Sequence, residues 1–254
     1  MTPEIPEIRL MGLTTLPEVA PGANLAELAR AAVQEAGETL RDGDVLVVTH
    51  KIVAKAEGRL VDLRTVEPSD FARRWAERWR KDPRHIEVVL RESVRIVRMD
   101  RGILITETPH GFVCANAGVD ASNVPGEDVV CLLPLDPDAT AAAIHQALKD
   151  ATGAHIAVII ADSFGRPWRN GIVNVAIGAA GIAPLVDYRG QEDDFGRTMQ
   201  VSVLAVADEL ASAAELVTGK VSRCPMALIR GYPYARGDGS ARDLVMDPAT
   251  DMFR

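Results

Sequence analysis

Two aspartates in similar settings, Asp120 and Asp162, are the residues of this sequence best suited to chemistry. Asp162 follows the apolar run Ala157-Val158-Ile159-Ile160-Ala161 and opens the stretch Asp162-Ser163-Phe164-Gly165-Arg166-Pro167-Trp168-Arg169. A buried strand there delivers an acid, a hydroxyl and two arginines at its tip. Asp120 repeats the plan, because the short apolar run Phe112-Val113-Cys114 opens through small residues into Val119-Asp120-Ala121-Ser122-Asn123. Carboxylates and hydroxyls suit hard cations such as Mg²⁺ or Mn²⁺ better than metals that prefer thiolate or imidazole. Asp120, Asp162 and Ser163 are therefore a candidate metal set. Read one at a time, each acid fits equally well as a helix cap or a turn residue.

Cations accompany these acids. Lys51 and Lys55 share one face if the segment after Val48 turns helical, and such a pair suits phosphate oxygens; the alternative is two solvated lysines. Arg166 and Arg169 form a candidate anion pocket beside Asp162, or they pair with nearby acids. Asp187 and Arg189, near Gly190 and followed by Asp193 and Asp194, read as a substrate loop or a charged turn.

Several chemistries are excluded by motif. Gly219-Lys220 is followed by Val221, with Ala214 where a phosphate-binding loop needs its first glycine. No dinucleotide fingerprint follows a strand, and Ser163 lacks the glycine two residues earlier that a nucleophile elbow requires. The five histidines show no metal-ligand spacing.

The elements that must carry these residues follow from periodicity. Leu25, Leu28, Ala29, Ala32, Val33, Ala36 and Leu40 predict a helix ending near Arg41-Asp42-Gly43, and Val45 to Val48 a buried strand. Phe71, Trp75 and Trp79 after Ser69-Asp70 predict a capped helix with an aromatic core face. Residues 86–115 read as a meander of strands, Asp136-Pro137-Asp138 as a helix start, Val201 to Lys220 as a helix and Met226 to Ile229 as a strand. The Gly- and Ala-rich run Gly171 to Leu185 is either a core strand or a surface for close contact with a second subunit. Interspersed helices and strands give an α+β or mixed α/β class.

The 254 residues, 47% hydrophobic, suffice for a sizeable core. With 36 acids against 28 basic residues the net charge is −8, which argues against nucleic acid as a partner. Cys114, Cys131 and Cys224 are widely spaced in apolar runs and read as buried thiols in a reducing compartment. No run reaches the length of a membrane span and the N-terminus lacks leader features, so the expected location is the cytoplasm, without a membrane partner.

Five segments, in order, resemble the γ-glutamyl ligase family that completes coenzyme F-420. They are Leu16 to Val19, Val48 to Arg59, Ala115 to Asn123, Ala161 to Arg166 and Ala207 to Leu216. The resemblance implies a GTP- and metal-dependent amide ligase that adds L-glutamate to the lactyl-phosphate tail of a 5-deazaflavin precursor. It makes residues 1–254 one ligase domain with two subdomains, an α+β subunit in an intertwined homodimer. By motif, Asp120, Asp162 and Ser163 would hold two Mg²⁺ or Mn²⁺ ions, with K⁺ a further cation. Leu16, Pro17, Glu18, Val19, His50, Lys51, Lys55 and Asn123 would contact GTP, as would Thr218, Gly219, Lys220 and Val221. Two positions depart from the family pattern: His50 stands where a serine is expected, and Lys220 where archaeal relatives tend to place a glutamine metal ligand.

Overall fold

Val45-Leu46-Val47-Val48 and Ala157-Val158-Ile159-Ile160-Ala161 are apolar at every position, and in the computed structural model, which describes residues 5–251, both runs are central strands covered on both faces. The strands are β1 (Arg9–Leu13), β2 (Val45–Thr49), β3 (Leu60–Asp62), β4 (Arg95–Asp100), β5 (Ile103–Glu107), β6 (Val113–Ala115), β7 (Val129–Cys131), β8 (Ala157–Arg166), β9 (Arg169–Ala180), β10 (Val186–Asp187), β11 (Val203–Leu204) and β12 (Met226–Arg230). The helices are α1 (Leu25–Glu35), α2 (His50–Ala56), α3 (Asp70–Trp79), α4 (Pro83–Arg91), α5 (Pro137–Thr152) and α6 (Val206–Thr218).

The main sheet has the order β1-β12-β2-β8-β9. Only β2 and β8 run parallel; the other pairs are antiparallel, which makes the class α+β. Side chains alternate across the sheet. Leu46, Val48, Val158 and Ile160 pack with α1 and α5 on one face, while Val45, Val47, Ala157 and Ile159 pack with α6 on the other. A third cluster gathers Trp75, Ile86, Val89, Leu104 and Val130 from α3, α4 and the short sheets β4-β5-β6 and β3-β7.

Helix starts follow their caps. Asn24, Ser69, Asp82 and Asp136 accept hydrogen bonds from first-turn amides, and Pro83 and Pro137 occupy the position where a missing N–H costs nothing. The aromatic stripe predicted for α3 is core: Trp75 is buried, and its ring centroid lies 5.8 Å from that of Trp79.

Several boundaries differ from expectation. Residues 86–91 belong to α4 and not to a meander; the β-branched run disguised a helix that Asp82-Pro83 starts and that buries Ile86 and Val89 one turn apart. The strands after it do form an antiparallel sheet. Helix α1 stops at Glu35, and α6 starts only at Val206. Residues Arg169 to Ala180 are strand β9, with Ala176, Ile177, Ala179 and Ala180 in the core. All three cysteines are free and buried. Among the described residues, no helix is long and apolar enough to cross a membrane.

Candidate active site

Strand β2 runs directly into α2, so the two residues after Thr49 emerge at the carboxyl end of the sheet's centre. They are His50 and Lys51, and they reach different acids. Lys51 Nζ donates to Asp120 Oδ2 at 2.6 Å and to the hydroxyl and carbonyl of Ser122 at 2.6 and 2.8 Å. His50 Nδ1 lies 3.0 Å from Asp162 Oδ1. The first turn of α2 thus gathers both candidate acids.

Asp120 follows a short 3₁₀ turn after β6, where its backbone pairs with that of Cys131. Oδ1 accepts from the Ser122 amide at 2.7 Å, and Oδ2 accepts from Lys51 and from Ser122 Oγ. Partial burial pushes its pKa up, but the bonds from Lys51 and Ser122 outweigh this and hold the carboxyl below the usual range.

Asp162 is not at a strand tip. Strand β8 continues to Arg166 because β9 folds back on it after the two-residue link Pro167-Trp168, where Trp168 takes a left-handed φ of 58°. The acid instead lies two residues past an irregularity in the β8–β9 ladder after Ile160, within the strand and opposite Val175. Burial disfavours charge on His50, yet the adjacent Asp162 carboxylate overrides it and raises the imidazole to about 9. Cys114 is pushed up to about 12 by burial and by Asp162, so it stays a thiol.

Ser163 Oγ donates to Asn174 Oδ1 at 2.6 Å across the β8–β9 ladder and accepts from Lys220 Nζ. Lys220 also pairs with Glu215 at 3.4 Å, and its carbonyl accepts from Asn123 Nδ2 at 3.3 Å. The loop after α6 therefore touches both the Asp162 strand and the Asp120 loop. Thr218 is buried, Gly219 ends the helix with φ 57°, and Val221 is exposed. Lys55, one turn beyond Lys51, is buried and bonds Glu18. This ties the Leu16-Pro17-Glu18-Val19 segment to α2, with Val19 in the core and Leu16 packed against it.

Other candidates sit apart from this cluster of bonds. Arg166 Nη2 bonds the carbonyl of Asn170 in the hairpin, and Arg169 is exposed beside it. Asp187 and Arg189 satisfy each other at 2.6 Å, and the guanidinium holds the Asp187 carboxyl at about 2. His50, expected to meet the nucleotide, is turned inward with a side chain only 4% exposed. Sequence reasoning missed Asn174 and Glu215; a lone amide in the run Ile172-Val173-Asn174-Val175 was the available signal for the first.

Among the described residues no three His, Cys, Asp or Glu side chains gather as a ready metal cluster. What the chain offers is two carboxylates and a hydroxyl, each already holding a positive or proton-donating group: Lys51 on Asp120, His50 on Asp162, Lys220 on Ser163. All three groups are oxygen donors, the chemistry that a hard divalent cation takes, and Asp120, Asp162 and Ser163 are the residues that would hold one.

Residues 14–231 match the family model described as F420-0:Gamma-glutamyl ligase. The chain belongs to this family. It is 45% identical to the coenzyme F420:L-glutamate ligase of Methanothermobacter thermautotrophicus over 97% of this chain and 99% of that one. The corresponding ligase of Methanopyrus kandleri is 44% identical over 98% and 99%, and that of Methanocaldococcus jannaschii 41% over 85% and 86%. Four of the five segments that carry the resemblance touch one another in the fold: Glu18 bonds Lys55, and His50 and Lys51 reach Asp162 and Asp120.

Proposed function

We propose that the protein is a GTP-dependent ligase that joins L-glutamate by an amide bond to the lactyl carboxylate of a 5-deazaflavin precursor of coenzyme F-420. The observation that carries this reading is the attachment of Asp120 and Asp162 to consecutive residues of α2, in a chain similar along nearly its whole length to ligases of that name.

A carboxylate is a poor electrophile, so amide formation in water needs activation. In the proposed reaction a carboxylate oxygen of the precursor attacks the γ-phosphorus of GTP and GDP departs, leaving an acyl phosphate. The amino nitrogen of glutamate then attacks the acyl carbon, phosphate leaves with the original carboxylate oxygen, and the nitrogen loses a proton. A triphosphate, a phosphodiester and carboxylates repel one another strongly, so positive charge must converge where they meet.

The residues of this chain supply that charge from fixed positions. Lys51 is steered by Asp120 and Ser122, Lys220 by Glu215 and Ser163, and Lys55 by Glu18. Asp120, Asp162 and Ser163 would hold Mg²⁺ or Mn²⁺, which supplies charge neutralisation at the phosphoryl oxygens. Arg166 and Arg169 are candidates for the anionic tail of the precursor. The functional unit in this reading is a homodimer.

Incubation of the purified protein with GTP, Mn²⁺, L-glutamate and the deazaflavin precursor, followed by mass spectrometry, tests the reading. A glutamyl increment on the precursor is expected. GTP loss without that increment points to phosphoester hydrolysis, and binding without turnover to a regulatory protein; either contradicts ligation.

A further inference from the structure

We infer that His50 is a positioning residue acting through Asp162, orienting that carboxylate so that its second oxygen is presented to a divalent cation. This rests on the metal-dependent reading of the site given above.

The hydrogen-bond pattern of the two acids is unequal. Both oxygens of Asp120 are engaged, Oδ1 by the Ser122 amide and Oδ2 by Lys51 and the Ser122 hydroxyl. On Asp162, by contrast, both contacts fall on Oδ1: the amide of Ser163 donates at 2.6 Å and His50 Nδ1 lies at 3.0 Å. Among the described residues no group bonds Oδ2. Asp162 is thus pinned by one oxygen and free at the other, the arrangement of a ligand that uses a single oxygen.

His50 is built to hold such a pin. Its side chain is 4% exposed and that of Asp162 12%. It sits at the start of α2, whose Ile52 and Val53 are anchored in the core cluster that also holds Val48. Its other ring nitrogen, Nε2, is buried without a hydrogen-bond partner in geometric reach, and the Cys131 thiol is the other polar group beside the ring, so the imidazole presents no polar atom to solvent. A planar ring fixed by core packing constrains the carboxylate about its χ angles, whereas a short hydroxyl side chain at this position would not reach as far. Partners of this kind behind a metal ligand typically carry a 10–100-fold share of metal affinity or activity.

The test compares His50→Asn with His50→Leu. The two replacements are close in shape, both remove the titratable ring, and only asparagine keeps an N–H near the position of Nδ1, so their difference isolates the donated hydrogen bond. Mn²⁺ affinity is measured on the nucleotide-free protein by paramagnetic resonance of the free ion, beside GTP affinity and the urea unfolding midpoint. Expected is Mn²⁺ binding at least about tenfold tighter in the asparagine variant than in the leucine variant, with GTP affinity equal in the two. Equal Mn²⁺ affinities overturn the inference, as does a selective loss of GTP affinity, which would return His50 to the nucleotide. Should the leucine variant not fold, Mn²⁺ affinity of the asparagine variant within about threefold of wild type supports the inference, and any larger loss contradicts it. A wild-type protein that takes up no Mn²⁺ refutes the metal reading itself, and this inference with it.

Discussion

Lys51 and Asp120 are 69 positions apart in the chain and meet at 2.6 Å. The contact bridges the central sheet, which delivers Lys51 at the end of β2, and the loop beyond the small sheet, which delivers Asp120. Because His50, the preceding residue, holds Asp162, any movement of the α2 start would shift both acids together.

Asp120→Asn and Asp162→Asn should each lower ligation by about a hundredfold or more, because each removes a negative ligand with little change of volume. Asp162→Asn should also cost about 1–3 kcal/mol of stability, since it weakens the partner of a buried imidazole. Turnover assays at saturating Mn²⁺ with urea unfolding check both, and near-normal turnover in either variant would sink the assignment of that acid.

Lys55→Ala should raise the dissociation constant for GTP about tenfold or more, because hydrogen bonds to a charged group are worth roughly 1.5–3 kcal/mol. Glu18→Ala should act in the same direction by a smaller factor, through release of the segment that Lys55 holds. Titration calorimetry with GTP is the check; unchanged affinity in Lys55→Ala would make Lys55 a structural residue.

Acid should reveal the Arg84 tether, which joins Asp82 at the start of α4 to Asp128 ahead of β7 at 2.6 and 2.7 Å. The Arg84 side-chain bond holds the Asp82 carboxyl below its ordinary value of 3.8. A depressed carboxyl stabilises the fold above its unfolded pKa, and that contribution is lost as the pH falls through the folded one. Wild type should therefore exceed Arg84→Met by about 0.5–1 kcal/mol at neutral pH. The gap should close below the ordinary value of 3.8. Urea unfolding across that range reads it, and a gap that persists in acid would exclude an ionic origin.

Light scattering at sub-micromolar concentration should give the mass of two chains. An obligate interface typically buries more than about 2,000 Å², and the exposed Ile172, Phe195 and Val201 offer apolar surface outside the three cores. A folded, active species of one-chain mass would rule out the obligate homodimer.

Much of this arrangement was legible in the sequence because its local signals agree. The apolar runs of β2 and β8, the apolar spacing of α1, the caps of α3 and α5 and the lysine pair on α2 each follow from a short stretch read alone. Asp162 stands out in the sequence but reads there as a strand end, since nothing in Phe164-Gly165-Arg166 reveals that β9 will pair with it. Asn174, Glu215 and the inward turn of His50 depend on partners 11 to 112 positions away, which periodicity cannot reach. The helical character of residues 86–91 was hidden for the opposite reason, because the strand-like run outweighed the Asp82-Pro83 start signal.

The most direct test of carboxylate activation is an isotope transfer. Precursor labelled with heavy oxygen in its lactyl carboxylate is incubated with the protein, GTP, Mn²⁺ and L-glutamate, and the released phosphate is analysed by mass. The account predicts one labelled oxygen per phosphate, with one glutamyl product per GDP. Unlabelled phosphate, with or without amide product, would contradict it.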